Sequence, residues 1–151
     1  MNKLPCGITG FWKIGQKNIP KINILLIERL IEKFENSSEF WNVILTKQQH
    51  DNNFYQIRVN DKTGSYLIGI NSSYPMFCGI KNSSDWTTVE FCDLPKNITD
   101  IVTENFKELK TEFLNQSLNS DNLTLLNKVE LEQIEYWETE KIGNVIFNKY
   151  D

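Results

Sequence analysis

The sequence predicts an α+β fold in which helices pack against a single antiparallel β-sheet of about four to six strands. Short runs rich in β-branched and aromatic residues follow one another through the middle of the chain, with turn-forming residues between them. Amphipathic helical patterns lie on both sides of this region. The 151 residues include 40% hydrophobic residues and no linker rich in Gly, Ser or Pro, so we expect one globular domain over residues 1–151.

A first helix is predicted from Pro20 to Asn36. Proline suits the first turn of a helix, where its missing N–H is no loss. Apolar residues then recur at helical spacing, from Ile24 to Phe34, with charged residues on the opposite side. One face of this helix is therefore expected to pack on the core.

The middle of the chain predicts a meander of four or five strands. The runs are Trp41–Thr46, Phe54–Val59, Tyr66–Ile70, Met76–Ile80 and Thr87–Cys92. Asn, Asp, Ser and Gly fill the short links between them, and such links join neighbouring antiparallel strands.

Three further elements are predicted towards the C-terminus. A second helix, capped by Asn97, is expected to continue to Phe113, because apolar residues including Phe106 and Leu109 recur along it. Residues 123–137 fit either a strand or a helix, and the alternation of Val129 and Leu131 with glutamates favours an edge strand. Thr139 is predicted to cap a short final helix with Ile142, Val145 and Ile146 on its buried side.

Composition and charge exclude several classes of protein. The longest apolar run, Ile24–Ile27, is far shorter than a membrane span, and the first residues lack the apolar stretch of a signal peptide. The formal net charge is −4, and the basic residues are scattered. We therefore expect a cytoplasmic protein that binds neither membrane nor nucleic acid directly.

No pattern in the sequence predicts catalysis, a metal or a cofactor. His50 is the only histidine and lies in a predicted turn. Cys6, Cys78 and Cys92 are too far apart for zinc-ligand spacing, and Cys78 and Cys92 are expected to be small buried residues of neighbouring strands. The segment Gly7-Ile8-Thr9-Gly10 lacks the strand, glycine spacing and lysine of a phosphate-binding loop.

The negative charge is concentrated near the C-terminus. Residues 101–151 contain ten acidic and five basic residues, and glutamates alternate with apolar and aromatic residues between positions 130 and 140. Such a patch fits a solvated face of an edge strand, a recognition surface for a basic protein, or, less readily, a metal site. If it is a recognition surface, the predicted contact residues are Glu130, Glu132, Glu135, Tyr136, Trp137 and Glu138.

Two C-terminal segments, Leu131–Trp137 and Ile142–Asp151, resemble the C-termini of small bacterial immunity proteins from polymorphic-toxin and contact-dependent growth inhibition systems. The resemblance implies a protein that neutralises a cognate toxin domain by direct stoichiometric binding. A toxin that acts on nucleic acid, such as a nuclease, is basic around its active site, and an acidic surface complements it.

A non-catalytic small-ligand or lipid-binding domain is the alternative. In that case, some of the four Trp and nine Phe residues would line a concavity of the sheet. An enclosed apolar cavity would favour ligand binding, whereas a filled core with an exposed acidic and aromatic patch would favour toxin binding.

Overall fold

The computed structural model describes residues 1–49, 51–81 and 88–150, and it has the predicted α+β architecture. Five strands form an antiparallel meander in which each strand pairs with the next. They are β1 (Trp41–Thr46), β2 (Phe54–Asp61), β3 (Gly64–Asn71), β4 (Met76–Ile80) and β5 (Phe91–Cys92). The first four confirm the predicted strands to within two residues at each end. The predicted fifth run begins at Thr87, which lies outside the described residues.

Two short strands share the far edge of β4. Phe91 and Cys92 of β5 pair antiparallel with its end, whereas β6 (Lys107–Glu108) lies parallel to its beginning. The backbone N–H of Leu109 continues this pairing by donating to the carbonyl of Phe77 at 2.9 Å. The sheet thus has six strands, of which only β6 is parallel to its neighbour.

The prediction of one long helix up to Phe113 is wrong. Helix α2 (Lys96–Val102) ends at Thr103, and a separate short helix α3 (Thr111–Leu114) follows β6. Phe106 and Leu109 are buried as expected, but the backbone between them bonds to the edge of β4 instead of continuing a helix.

Helices α1 (Ile24–Asn36) and α2 cover one face of the sheet. Helix α1 begins four residues after the predicted start, because the side chain of Asn23 caps it by accepting the backbone N–H of Leu25 at 3.0 Å. The core on this face includes Ile27, Leu30, Phe34, Ile57, Val59, Ile68, Ile70, Phe77, Ile98 and Val102.

The N-terminal loop and the C-terminal helices pack on the opposite face. Helix α5 (Ile142–Ile146) confirms the predicted final helix and its buried side, although Lys141 and not Thr139 occupies its N-cap position. The ring of Phe147 lies 6.0 Å from that of Phe54 and 6.1 Å from that of Phe91. The core on this face also includes Leu4, Ile8, Cys78, Leu114, Ile142, Val145 and Ile146.

The interpretation of residues 123–137 as an edge strand is wrong. A single 3-10 turn at Asp121–Leu123 leads to helix α4 (Lys128–Tyr136). Asn127 and Glu130 form a reciprocal capping box at its start, in which each side chain bonds to the backbone N–H of the other residue. This pair satisfies two of the backbone N–H groups that the first turn of a helix leaves unpaired. An edge strand requires no such cap.

Candidate functional site

Five of the six predicted contact residues are exposed at the C-terminal end of α4 and in the turn after it. These residues, here called the α4 surface, are Glu132, Glu135, Tyr136, Trp137 and Glu138. Residues three or four apart are neighbours on a helix. Glu132 and Glu135 therefore lie side by side, next to the aromatic pair.

Glu130, the sixth predicted contact residue, is fully buried and does not belong to this surface. One of its oxygens accepts the backbone N–H of Gly7 at 2.7 Å, and the other accepts the backbone N–H and the hydroxyl of Thr9 at 3.1 and 2.6 Å. The backbone and side-chain amides of Asn127 donate to it at 3.2 and 3.0 Å. These donors compensate the cost of burying a carboxylate. Glu130 thus anchors the N-terminal loop to α4.

The N-terminal loop is shaped to hold that carboxylate. Gly7 and Gly10 both have φ in the left-handed region, at 88° and 84°, and the N–H of Gly10 closes the turn by donating to the carbonyl of Gly7 at 3.0 Å. Within this turn, the N–H groups of Gly7 and Thr9 point towards Glu130. The ring of Trp12 covers Gly7 so closely that a Cβ there would lie 1.8 Å from it. The glycine-rich segment therefore does bind an anion, which the chain itself supplies.

Glu138 occupies a strained position where α4 ends. Its φ is 51°, in the left-handed region that favours glycine. The backbone N–H groups of Glu138 and Thr139 close the helix by donating to the carbonyls of Glu135 and Ile134, at 3.2 and 3.1 Å. A non-glycine residue in this conformation costs about 1 kcal/mol. The chain thus keeps a carboxylate where stability alone would favour glycine.

A row of stacked aromatic rings fixes the orientation of Trp137. Its ring stacks on that of Tyr150, with 6.0 Å between centroids and 10° between planes, and Tyr136 packs edge-on against it at 5.3 Å. The indole N–H donates to the side-chain oxygen of Gln133 at 3.1 Å. Trp137 nevertheless remains 40% exposed and Tyr136 76% exposed. The pair presents a rigid apolar surface to solvent.

Tyr150 is the fixed base of this row. It is buried, and its hydroxyl forms a 2.5 Å hydrogen bond with that of Thr139. Burial raises the pKa of Tyr150 to about 12, so the ring stays neutral under physiological conditions. The sequence did not identify Tyr150 or Gln133 as part of the site, because their roles depend on contacts that only the folded chain makes.

Among the carboxylates of the α4 surface, Glu132 forms an ion pair in the described part of the chain. Lys128 lies 3.9 Å from Glu132, and both of these side chains are exposed. In the part of the chain that the structure describes, Glu135 and Glu138 form no ion pair. The surface therefore presents negative charge beside its aromatic pair.

An open groove of about 670 Å³ lies next to Trp137. Charged and polar side chains dominate its walls, including Glu90 before β5, Lys141 before α5, Asn144 in α5 and Lys149 in the C-terminal segment. This lining differs from the enclosed apolar cavity expected for a lipid-binding domain.

Cys78 and Cys92 are poorly suited to nucleophilic chemistry. Cys78 is buried on the second face of the sheet, where burial raises the pKa of its thiol well above the usual value. Burial also raises the pKa of the Cys92 thiol. Both thiols are protonated at neutral pH, whereas the deprotonated thiolate is the nucleophilic form. In the strand register, Cys92 lies opposite Gly79, not opposite Cys78. His50 lies outside the described residues.

The second of the two segments that resemble immunity proteins is largely structural. Asn148 is buried, its side chain donates to the carbonyl of Thr9 at 3.0 Å, and its backbone N–H donates to the side-chain oxygen of Asn53 at 2.8 Å. Asn53 and Asn71 each donate to the carbonyl of Ile146 at 2.8 Å. These buried asparagines join the C-terminal segment to the ends of β2 and β3.

Neither a metal centre nor a membrane span can be identified in the described ranges. No three His, Cys, Asp or Glu side chains converge there as metal ligands would, and no helix is long and apolar enough to cross a bilayer. Comparison of the chain with family models, with curated proteins and with solved structures found no match.

Proposed function

We propose that this chain is a non-catalytic immunity protein of the cytoplasm that neutralises a basic toxin domain by stoichiometric binding through the α4 surface. The observation that carries the proposal is the rigid, exposed pair of Tyr136 and Trp137 bordered by carboxylates. Trp and Tyr are enriched among residues that dominate binding energy at protein interfaces.

Preorganisation of the aromatic pair supports this role. The stack on Tyr150 and the hydrogen bond to Gln133 already hold Trp137 in place. A side chain ordered before binding loses little entropy when a partner covers it. Tight binding therefore requires few additional contacts.

The charge distribution supports a basic partner. Glu132, Glu135 and Glu138 are exposed, and a toxin that cleaves nucleic acid carries positive charge around its active site. Complementary charge accelerates association and discriminates against other partners. The strain accepted at Glu138 is consistent with selection for its carboxylate.

Packing of the aromatic residues weighs against the ligand-binding alternative. Phe147 packs against both Phe54 and Phe91 on one face of the sheet, and Phe34 packs edge-on against Phe40 at 5.1 Å on the other. These rings fill the core, while the groove beside Trp137 is open and polar.

The test is cell protection against a candidate toxin domain, taken from the gene that neighbours the gene for this chain. We expect co-expression of the wild-type chain to restore growth and a Glu132→Lys/Glu135→Lys variant to lose both protection and binding. A Trp137→Ala variant should dissociate faster, by an amount on the order of 2 kcal/mol or more in binding free energy.

Helix α1 offers a matched control. Glu32 and Glu35 are exposed and have the same spacing as Glu132 and Glu135. A Glu32→Lys/Glu35→Lys variant changes the net charge equally and should protect fully. Protection by the Glu132→Lys/Glu135→Lys variant, with folding verified by thermal melting, would contradict the assignment of the surface.

A further inference from the structure

The outer edge of β1 is unpaired in the part of the chain that the structure describes and is interrupted by one β-bulge. Strand β1 ends the sheet, and within the described ranges no strand pairs with its outer side. Its sequence, Trp41-Asn42-Val43-Ile44-Leu45-Thr46, contains no charged residue and no proline. Those are the residues with which proteins usually block edge-to-edge pairing. This edge therefore offers free backbone N–H and C=O groups to an added strand.

A β-bulge gives this edge two exposed apolar side chains on one face. Trp41 pairs with Asn60 and Ile44 with Arg58, and the register shifts between them, where Asn42 has φ of 52°. Directly paired residues of antiparallel strands point to the same side of a sheet. Trp41 and Ile44 therefore share a face, on which they are 49% and 54% exposed.

We propose that two copies of this chain associate through antiparallel pairing of their β1 strands about a two-fold axis. Such pairing would extend the sheet across the axis and satisfy backbone groups on both edges. With the axis between Asn42 and Val43, Trp41 of one copy lies opposite Ile44 of the other. The Trp41 and Ile44 side chains of both copies then form one apolar patch, on the face of the sheet where they are exposed in the single chain.

Charge complementarity favours a second copy as the occupant of this edge. Glu39 precedes β1 and Lys47 follows it. Both are exposed, and neither forms an ion pair among the described residues. In the register that places Trp41 opposite Ile44, Glu39 of one copy lies opposite Thr46 of the other and next to its Lys47, twice in each dimer.

The test is sedimentation equilibrium of the purified chain, without any toxin, from micromolar to millimolar concentration. We expect a reversible dimer. Ile44→Lys should raise its dissociation constant by about tenfold or more, because the charge enters the interface twice. Ile14→Lys is the control, since Ile14 is more exposed than Ile44 and lies outside the sheet. It should leave the dissociation constant unchanged.

Charge exchange tests the antiparallel arrangement. Glu39→Lys alone and Lys47→Glu alone should each weaken the dimer, and the double variant should recover it. A wild-type chain that stays monomeric at millimolar concentration, an equal effect of Ile14→Lys, or a double variant as weak as the singles would each overturn the proposal. None of these measurements depends on the toxin, so they are independent of the proposed immunity function.

Discussion

Glu130 and Glu132 are two positions apart, yet the first is fully buried and the second is exposed. On a helix, Glu130 shares the inward side with Ile134, whereas Glu132 and Glu135 point outward. The pair Asn127 and Glu130 has capping-box spacing, so a sequence signal for this helix exists. The donors from Gly7 and Thr9 are more than 120 residues away along the chain, and no local pattern predicts them.

Replacing Glu130 with Gln should lower the free energy of unfolding by at least about 2 kcal/mol. The amide has one acceptor oxygen where the carboxylate has two, and its NH₂ group would face the N–H donors of the loop. Chemical denaturation measures the change. Glu132→Gln removes the same charge from an exposed position and should stay within about 0.5 kcal/mol of wild type. Equal stability of both variants would contradict the anchoring role.

Replacing Glu138 with Gly should stabilise the fold by about 0.5–1 kcal/mol and weaken toxin binding. Glycine adopts the left-handed conformation without strain but provides no carboxylate. Glu138→Ala separates the two effects, because it also removes the carboxylate but retains the strain. It should weaken binding equally without gaining stability. Thermal denaturation and titration calorimetry give the two quantities, and a Gly variant less stable than the Ala variant would contradict the strain.

At the scale of elements, the strands were more predictable than the helices. Strands β1 to β4 are rich in β-branched and aromatic residues and are separated by turn residues, so the local sequence pattern predicted them. The segment after α2 also has helical apolar spacing, but its backbone bonds to the free edge of β4, which lies about thirty residues earlier in the chain. The competition between continuing the helix and pairing with β4 therefore cannot be seen in the local sequence. The strand predicted over residues 123–137 is wrong for a local reason, because Asn127 and Glu130 have the spacing of a capping box and start a helix.

A substitution at Leu109 tests whether the segment after α2 packs against β4 instead of continuing the helix. Leu109 is buried beside β4, and Leu109→Ala should cost roughly 2–5 kcal/mol of stability, as deletion of buried methyl groups usually does. Leu125→Ala is the control, because Leu125 is 52% exposed. Urea denaturation compares the two, and a loss below about 0.5 kcal/mol at position 109 would show that this segment does not pack as described.

The β2–β3 hairpin is linked to α2 by a hydrogen bond that should be visible in its pH dependence. Asn97 donates to Asp61 at 3.0 Å, and this bond, with those from Thr63, lowers the pKa of Asp61 below its usual 3.8. A carboxylate with a lowered pKa contributes stability above its unfolded pKa, and this contribution is lost as pH falls through the folded value.

In Asn97→Ala, the pKa of Asp61 should move back towards 3.8, and less stability should be lost on acidification below about pH 4. An NMR titration of Asp61 reports the first effect, and denaturation at several pH values reports the second. Asn105→Ala, at an exposed position, is the control. An unchanged Asp61 pKa in Asn97→Ala would contradict the link.

At the scale of the whole molecule, the chain divides its charge between its two parts. Residues 1–100 carry nearly balanced charge and supply strands β1 to β5, whereas residues 101–151 carry the excess of acid and supply β6, α3, α4 and α5. The N-terminal loop and the buried asparagines fix this acidic part to the sheet. The aromatic pair and its carboxylates are therefore presented on a rigid support, as tight recognition requires.

The most direct test of the α4 surface is the rate of association with the neighbouring toxin domain as a function of salt concentration. Attraction between exposed charges weakens as salt screens it. The wild-type rate should fall steeply with added salt, the Glu132→Lys/Glu135→Lys variant should associate slowly at every concentration, and the Glu32→Lys/Glu35→Lys variant should behave like wild type. Equal rates and equal salt dependence for all three proteins would contradict recognition through the α4 surface.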